Sequence, residues 1–375
     1  MSSNDFIPVC EPLLGGRELE YVTKAVSGGW ISSSGGYVRE FEEAFAKYLG
    51  VPHAITTTSG TTALHLALVA AGIGPGDEVI IPAFTMVASA FAVCYTGAKP
   101  VFVDAERTTW NIDPELISAK ITPRTRAIMP VHVYGHACEM DAIRNIAARH
   151  DLLVIEDAAE AIGSRYRGAL CGAIGDIGCF SLFANKLITS GEGGLVVTRD
   201  ERLAERLRYY KNLCFPLDGS RRYVHEDIGF NYRMPNVLAA IGLAQLERAD
   251  YYLERRRENA RRYNALLQGQ RGIVTPPEQP WASSSYWMYS VLVNEEFGRA
   301  RDDVMKGLKE VGIETRSFFV SMHRQPALAK YGCDVSGEYP VTDELARSGL
   351  YLPSSSGLTD EQIERVSRAL LSLRQ

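Results

Sequence analysis

The sequence predicts an α/β protein built on a largely parallel sheet, and three observations carry that expectation. Between about residues 50 and 200, short apolar runs alternate with stretches of helical period, the strand–helix rhythm of an α/β domain. The apolar runs are rich in Val and Ile without polar alternation, as strands buried on both faces require. Near residue 245 the pattern changes to a long charged helix followed by a second set of strands and helices. At 375 residues the chain is long for one core. We therefore expect a large domain over 1–248, including an N-terminal segment 1–30, and a small C-terminal α/β domain over 249–375.

In chain order, residues 63–71 read as a helix and 77–81 as the first strand, followed by strands at 100–103 and 126–131. A helix over 141–150 precedes a strand at 152–155, and a further strand covers 194–198. Residues 245–267 read as one long amphipathic helix. Its Arg255, Arg256, Arg257, Arg261 and Arg262 alternate with Glu254 and Glu258, which predicts a solvated face. Thr275-Pro276-Pro277 breaks the pattern before a strand at 287–293, a helix at 301–311 and a strand around 314–316. Thr359 and Gln362 have capping-box spacing and open the last helix.

A formal charge of −5 offers no general attraction for nucleic acid or anionic lipid. The seven cysteines are scattered without a C-x-x-C pair, which fits a reducing compartment. The first residues have neither the charged nor the apolar region of a signal peptide. No apolar run approaches the roughly 18 residues of a membrane span, so a cytoplasmic protein is expected.

Three segments bear chemistry. Thr57-Thr58-Ser59-Gly60-Thr61-Thr62 runs into a helix, whose free N–H groups and positive dipole end suit a phosphate; capping alone is the bland reading. Glu156-Asp157-Ala158-Ala159-Glu160 ends a buried strand, where ligands of parallel sheets bind. Asp157 there suits a protonated ring nitrogen, whereas a metal lacks partner ligands at suitable spacing. Lys186 sits between apolar flanks and the glycine-dense turn Gly191-Glu192-Gly193-Gly194. A desolvated lysine loses basicity and becomes an imine-forming nucleophile; a snorkelling structural lysine is the alternative. Together they supply a phosphate cradle, an acid for a pyridine nitrogen and an amine for an aldehyde, which is what pyridoxal 5′-phosphate needs.

The segments SGTTALHLAL, PVHVYGH, VIEDAAE, FSLFANKLITSGEGG and GFNYRMPN resemble those of the DegT-type (StrS) nucleotide-sugar aminotransferases, and the likeness spans nearly the whole chain. The resemblance implies a type I aminotransferase fold and a homodimer with shared active sites. It matches Lys186 to the imine lysine, Asp157 to the partner of the pyridine nitrogen and Glu160 to a position beside the ring hydroxyl. Ser59, Gly60, Thr61 and Ser181 match phosphate contacts, and Asn231 one donated by the neighbouring subunit. Met86 stands where relatives stack an aromatic ring on the cofactor, and its flexible thioether is a less rigid cover. Trp30, Ile31, Ser32, Arg316, His323 and Arg324 fall in regions that line the sugar and diphosphate pocket of relatives.

The expected reaction is a two-stage transfer. By that resemblance, glutamate leaves its nitrogen on the cofactor as pyridoxamine 5′-phosphate, which then aminates the C-4 ketone of a nucleotide-linked 4-keto-6-deoxy sugar. Lys186 is expected to have a depressed pKa beside the ring and to move the proton. Glu192 stands where C-3 aminotransferases of the family commonly carry Asp, which points to C-4 over C-3. A lyase without transamination, or a silent cofactor-binding protein, is the alternative from another class. His132 and His136 lie four apart, but no third ligand is evident and no metal is expected.

Overall fold

The computed structural model describes residues 6–217, 219, 221 and 223–375. Its central sheet has seven strands in the order His53–Thr57, Gly194–Thr198, Ile177–Ser181, Leu153–Asp157, Thr125–Ile128, Glu78–Pro82 and Lys99–Val103. Only Gly194–Thr198 runs against its neighbours; the remaining contacts from Ile177–Ser181 to Lys99–Val103 are parallel. Successive side chains go to opposite cores. Ile80, Leu195 and Val197 pack on one side with Phe41, Phe45 and Phe180. Val79, Ile81 and Val196 pack on the other with Leu64, Leu66 and Phe102. Both faces are covered, which explains why these strands lack polar alternation.

The strands His53–Thr57 and Ile177–Ser181 were not evident from the sequence. The first is a run of small and hydroxylated residues, and the second mixes Gly, Cys and Ser with its apolar positions. Both are carried by pairing with Gly194–Thr198.

A second sheet, antiparallel throughout, is ordered Ile273–Val274, Tyr289–Val293, Gly349–Leu352 and Arg316–Ser317. Its core gathers Val291, Leu350 and Leu352 with Ile363, Val366 and Leu370 of the last helix, Asp360–Ser372. Thr359 caps that helix in a reciprocal box with Gln362, as its spacing predicts. The N-terminal stretch joins this second unit. The Ile7 N–H donates to the Gly312 carbonyl at 2.9 Å, and the Glu314 N–H donates to the Ile7 carbonyl at 2.9 Å.

The long helix expected at 245–267 is two helices, Asn236–Leu246 and Ala249–Leu267. The first is apolar on all sides because it is buried between helices Glu18–Ser27 and Gly36–Leu49, so it shows no amphipathic period. The expected solvated basic face is met by Arg261, which pairs with Glu254 at the surface, but not by Arg256 and Arg257. Arg256 is 3% exposed, with Nε on the Ser356 hydroxyl at 3.0 Å and Nη1 on the Trp287 carbonyl at 2.7 Å. Arg257 bonds the Ser284 carbonyl and the Ser283 hydroxyl. A fork of five N–H donors can satisfy loop carbonyls that a helical-period reading does not see. Among the described residues no helix is long and apolar enough to cross a membrane, and no group of His, Cys, Asp or Glu is placed to hold a metal.

Candidate active site

The carboxyl ends of the parallel strands open onto a cavity of ≈ 390 Å³. Ser59, Gly60 and Thr61 line it from the start of helix Gly60–Ala70. Ser59 caps that helix, its Oγ accepting from the Thr62 N–H at 3.1 Å while the Thr62 hydroxyl accepts the Ser59 N–H at 2.9 Å. That box leaves the Gly60 and Thr61 N–H groups without helical partners at the cavity wall, as an anion site requires. Ser181 lines the same corner, and the approach is close: a Cβ on Gly60 would lie 2.8 Å from the Ser181 Cβ.

Asp157 ends its strand 4% exposed and lines the cavity. The Ser89 hydroxyl donates to its Oδ2 at 2.7 Å and the Ala159 N–H to its Oδ1 at 3.1 Å, so its orientation is set from behind. Burial raises its pKa from the ordinary carboxylate value, against those two hydrogen bonds. Glu160, one turn further on, accepts the Tyr134 N–H at 2.8 Å. Burial pushes it up to about 7, opposed by Lys186 and that N–H.

Lys186 rides on a loop closed at its neck by Leu182. The Leu182 N–H donates to the Gly193 carbonyl at 2.9 Å, and the Leu182 carbonyl accepts the Ser190 N–H at 3.0 Å and the Thr189 hydroxyl at 2.8 Å. The glycines are required here. Gly193 has φ +147°, a conformation that L side chains rarely adopt, and a Cβ on Gly194 would lie 2.4 Å from the Ser59 carbonyl oxygen. The lysine loop is thereby pressed against the start of helix Gly60–Ala70, at the corner that Ser181 also lines.

Burial holds the Lys186 pKa below its ordinary value, while Glu160 and Asp157 pull it back up. The depression expected from the sequence is present and its cause is the desolvation expected there, while the neighbouring carboxylates oppose it.

Met86 lines the cavity half exposed, at the start of helix Val87–Tyr95. Arg316 also reaches the lining, its guanidinium 3.5 Å from the Glu314 carboxylate. Other candidates do not converge there within one chain. Asn231 is exposed and bridges to Asn212; Trp30 and Ser32 are exposed, their carbonyls accepting from Asn236. His323 does not reach the cavity lining of this chain. Its Nε2 lies 3.2 Å from Asp343 and its ring is against Tyr339, and Arg324 pairs with the same Asp343.

His132 and His136 are each committed. His132 Nδ1 accepts the Cys138 N–H at 3.0 Å and its Nε2 lies 2.9 Å from Glu156. Glu156 also accepts the N–H groups of Gly172, Ile174 and Gly175. His136 bonds the Ala137 carbonyl and accepts the Gln279 N–H.

Two features of the lining escaped the sequence reading. Trp287 places its ring 3.6 Å from the Lys186 Nζ, measured to the centroid, and its Nε1–H donates to the Asn185 carbonyl at 2.8 Å. Tyr351, Phe319 and Trp287 form an aromatic wall contributed by residues beyond 286. Tyr351 lies on strand Gly349–Leu352, while Trp287 and Phe319 flank strands Tyr289–Val293 and Arg316–Ser317, and the apolar pattern there already accounts for all three, so nothing in their spacing marks a site. Among the described residues the buried Asn185 Oδ1 has no hydrogen-bond partner, and Asn185 lines the cavity.

An anion corner, a buried carboxylate, a half-buried amine and an unpartnered polar atom fit a phosphorylated pyridine aldehyde. The chain matches the DegT/DnrJ/EryC1/StrS aminotransferase family model over residues 12–371. It is 48% identical over 371 residues to GDP-perosamine synthase of Caulobacter vibrioides, covering 99% of each chain. It is 44% identical to GDP-perosamine synthase of Escherichia coli O157:H7, covering 96% of each. Among solved structures, DesV of S. venezuelae in complex with a ketimine intermediate superposes with a TM-score of 0.88 at 38% identity, covering 95% of this chain and 94% of that one.

Proposed function

The chain belongs to the DegT/DnrJ/EryC1/StrS aminotransferase family, and from that premise we propose that it transfers an amino group from glutamate to the C-4 ketone of a GDP-linked 4-keto-6-deoxy sugar. The observation that carries this reading is one cavity lined by Lys186, Asp157, Glu160 and the Ser59–Gly60–Thr61 helix start, in a chain 48% identical to a GDP-perosamine synthase.

Pyridoxal phosphate, when bound, supplies the electron sink through which the amino group passes from donor to acceptor. Ser59, Gly60, Thr61 and Ser181 would hold its phosphate. Asp157, aimed by Ser89 and the Ala159 N–H, would hold a proton on the ring nitrogen. A carboxylate already destabilised by burial gains from such a cationic partner. Glu160 would hydrogen-bond the ring hydroxyl, and Met86 would cover one ring face.

Lys186 would first anchor the aldehyde and then move a proton to or from the reacting substrate carbon. Its depressed basicity leaves more of the free amine near neutral pH than an exposed lysine offers. Arg316, at the lining, would meet the charged part of the substrate. Asn231, together with Trp30 and Ser32, would serve the active site of a neighbouring subunit, which makes the working unit a homodimer.

The test is spectral and chemical. Protein loaded with pyridoxal phosphate should lose its visible band on addition of glutamate and regain it with a GDP-linked 4-keto-6-deoxyhexose, yielding an amino sugar identified by mass. Lys186→Arg should abolish the visible band and lower turnover by at least about 10³-fold. A band indifferent to glutamate, or preference for a 3-keto sugar, would overturn the reading.

A further inference from the structure

The chemistry of Lys186 has a component that comes from the far end of the chain. Trp287 touches the lysine segment twice. Its indole N–H donates to the Asn185 carbonyl at 2.8 Å, and its ring face lies 3.6 Å from the Lys186 Nζ. The first contact fixes the backbone immediately before the lysine, and the second receives the amine itself.

The indole has little freedom to do otherwise. It is 4% exposed, and its own carbonyl accepts from Arg256 Nη1 at 2.7 Å. The buried Arg256 is held in turn by the Ser356 hydroxyl at 3.0 Å. Tyr134 stacks on the Trp287 ring with centroids 6.2 Å apart at 23°. A desolvated ammonium over an indole face is stabilised more than over any other side-chain ring.

We propose that Trp287 is a positioning residue for Lys186, whose ring face docks the lysine as its ammonium whenever the amine is not engaged with the cofactor. This rests on the reading of Lys186 as the imine-forming lysine. It adds a cationic parking place that opposes the desolvation of the cavity and keeps the freed amine within the site. The dock acts on the cationic form alone, so it raises the proton affinity of Lys186 in proportion to the strength of the ring contact.

The test uses the cofactor-free full-length protein and a readout other than turnover. Competitive labelling of lysines with an amine-reactive reagent across pH 6–10, read by mass spectrometry, gives the apparent pKa of Lys186. The series Trp287→Tyr, Trp287→Phe and Trp287→Leu weakens the ring contact stepwise. The expected result is a progressive fall in that pKa, with Lys186 labelling at neutral pH rising by about 3- to 30-fold from wild type to Leu. If the Leu variant does not fold, the Tyr and Phe variants carry the same test with the same sign. An unchanged pKa, or a rise such as simple entry of water would produce, overturns the proposal. Reconstitution of each protein with pyridoxal phosphate separates the two readings. A visible band that depends on Lys186 upholds the lysine's role whatever the labelling series gives.

Discussion

Glu160 is the residue whose titration the fold alters most informatively. Burial pushes it up to about 7 from an ordinary 4.5, so the folded protein favours the neutral carboxyl while an unfolded chain ionises near pH 4.5. A raised acid contributes stability that is present below pH 4.5 and is lost as pH rises through about 7. Glu160→Gln removes that loss. In the cofactor-free protein the variant should gain on wild type between pH 4.5 and 7, by about 1–3 kcal/mol, and hold a constant margin above. Urea unfolding of the two proteins at several pH values measures the margin, and one that does not change with pH would sink the assignment. Of the residues that line the cavity, Lys186 and Asp157 stood out in the sequence as polar groups at the ends of apolar runs, and Glu160 through the family resemblance. Trp287 did not, since an indole just ahead of an apolar strand is accounted for by core packing alone.

At the scale of the element, helix Gly60–Ala70 has two duties that share one residue. Ser59 caps it and also lines the corner proposed to take the cofactor phosphate. Ser59→Ala should cost about 1 kcal/mol of stability in the cofactor-free protein, the worth of a lost N-cap. It should also weaken pyridoxal phosphate binding severalfold by removing a hydroxyl from the corner. Thermal unfolding with and without cofactor distinguishes the two, because a cap alone would lower both midpoints equally. The start of this helix was readable from its run of Ser and Thr. The preceding strand His53–Thr57 was not, because its order comes from pairing with Gly194–Thr198 across the chain.

For the whole molecule, the single chain leaves Asn231, Trp30 and Ser32 exposed and outside its own cavity. If Asn231 completes the site of a second copy, two inactive variants should rescue one another. Mixed under conditions of subunit exchange, Lys186→Arg and Asn231→Ala protomers would form hybrids in about half of the dimers, each with one intact site. Activity should return to about one quarter of wild type. Recovery of none would place Asn231 in its own subunit's machinery or outside the site altogether.

Local signals in the sequence determined the class of the protein. Uninterrupted Val/Ile runs announced a covered parallel sheet, and a lysine before a glycine turn, an acid ending a strand and hydroxyls at a helix start announced the cofactor chemistry. Each such signal is short-range, set by backbone freedom, periodicity or charge within a few residues. Tertiary structure alone decided what surrounds them: Arg256 drawn into the interior, His323 turned away to Asp343, and Trp287 laid against Lys186. Those contacts join residues far apart in the chain, and burial sets their strength. Lys186 is thus recognisable from its neighbours in sequence, while its basicity is set by the desolvation, the carboxylates and the indole face that folding brings to it.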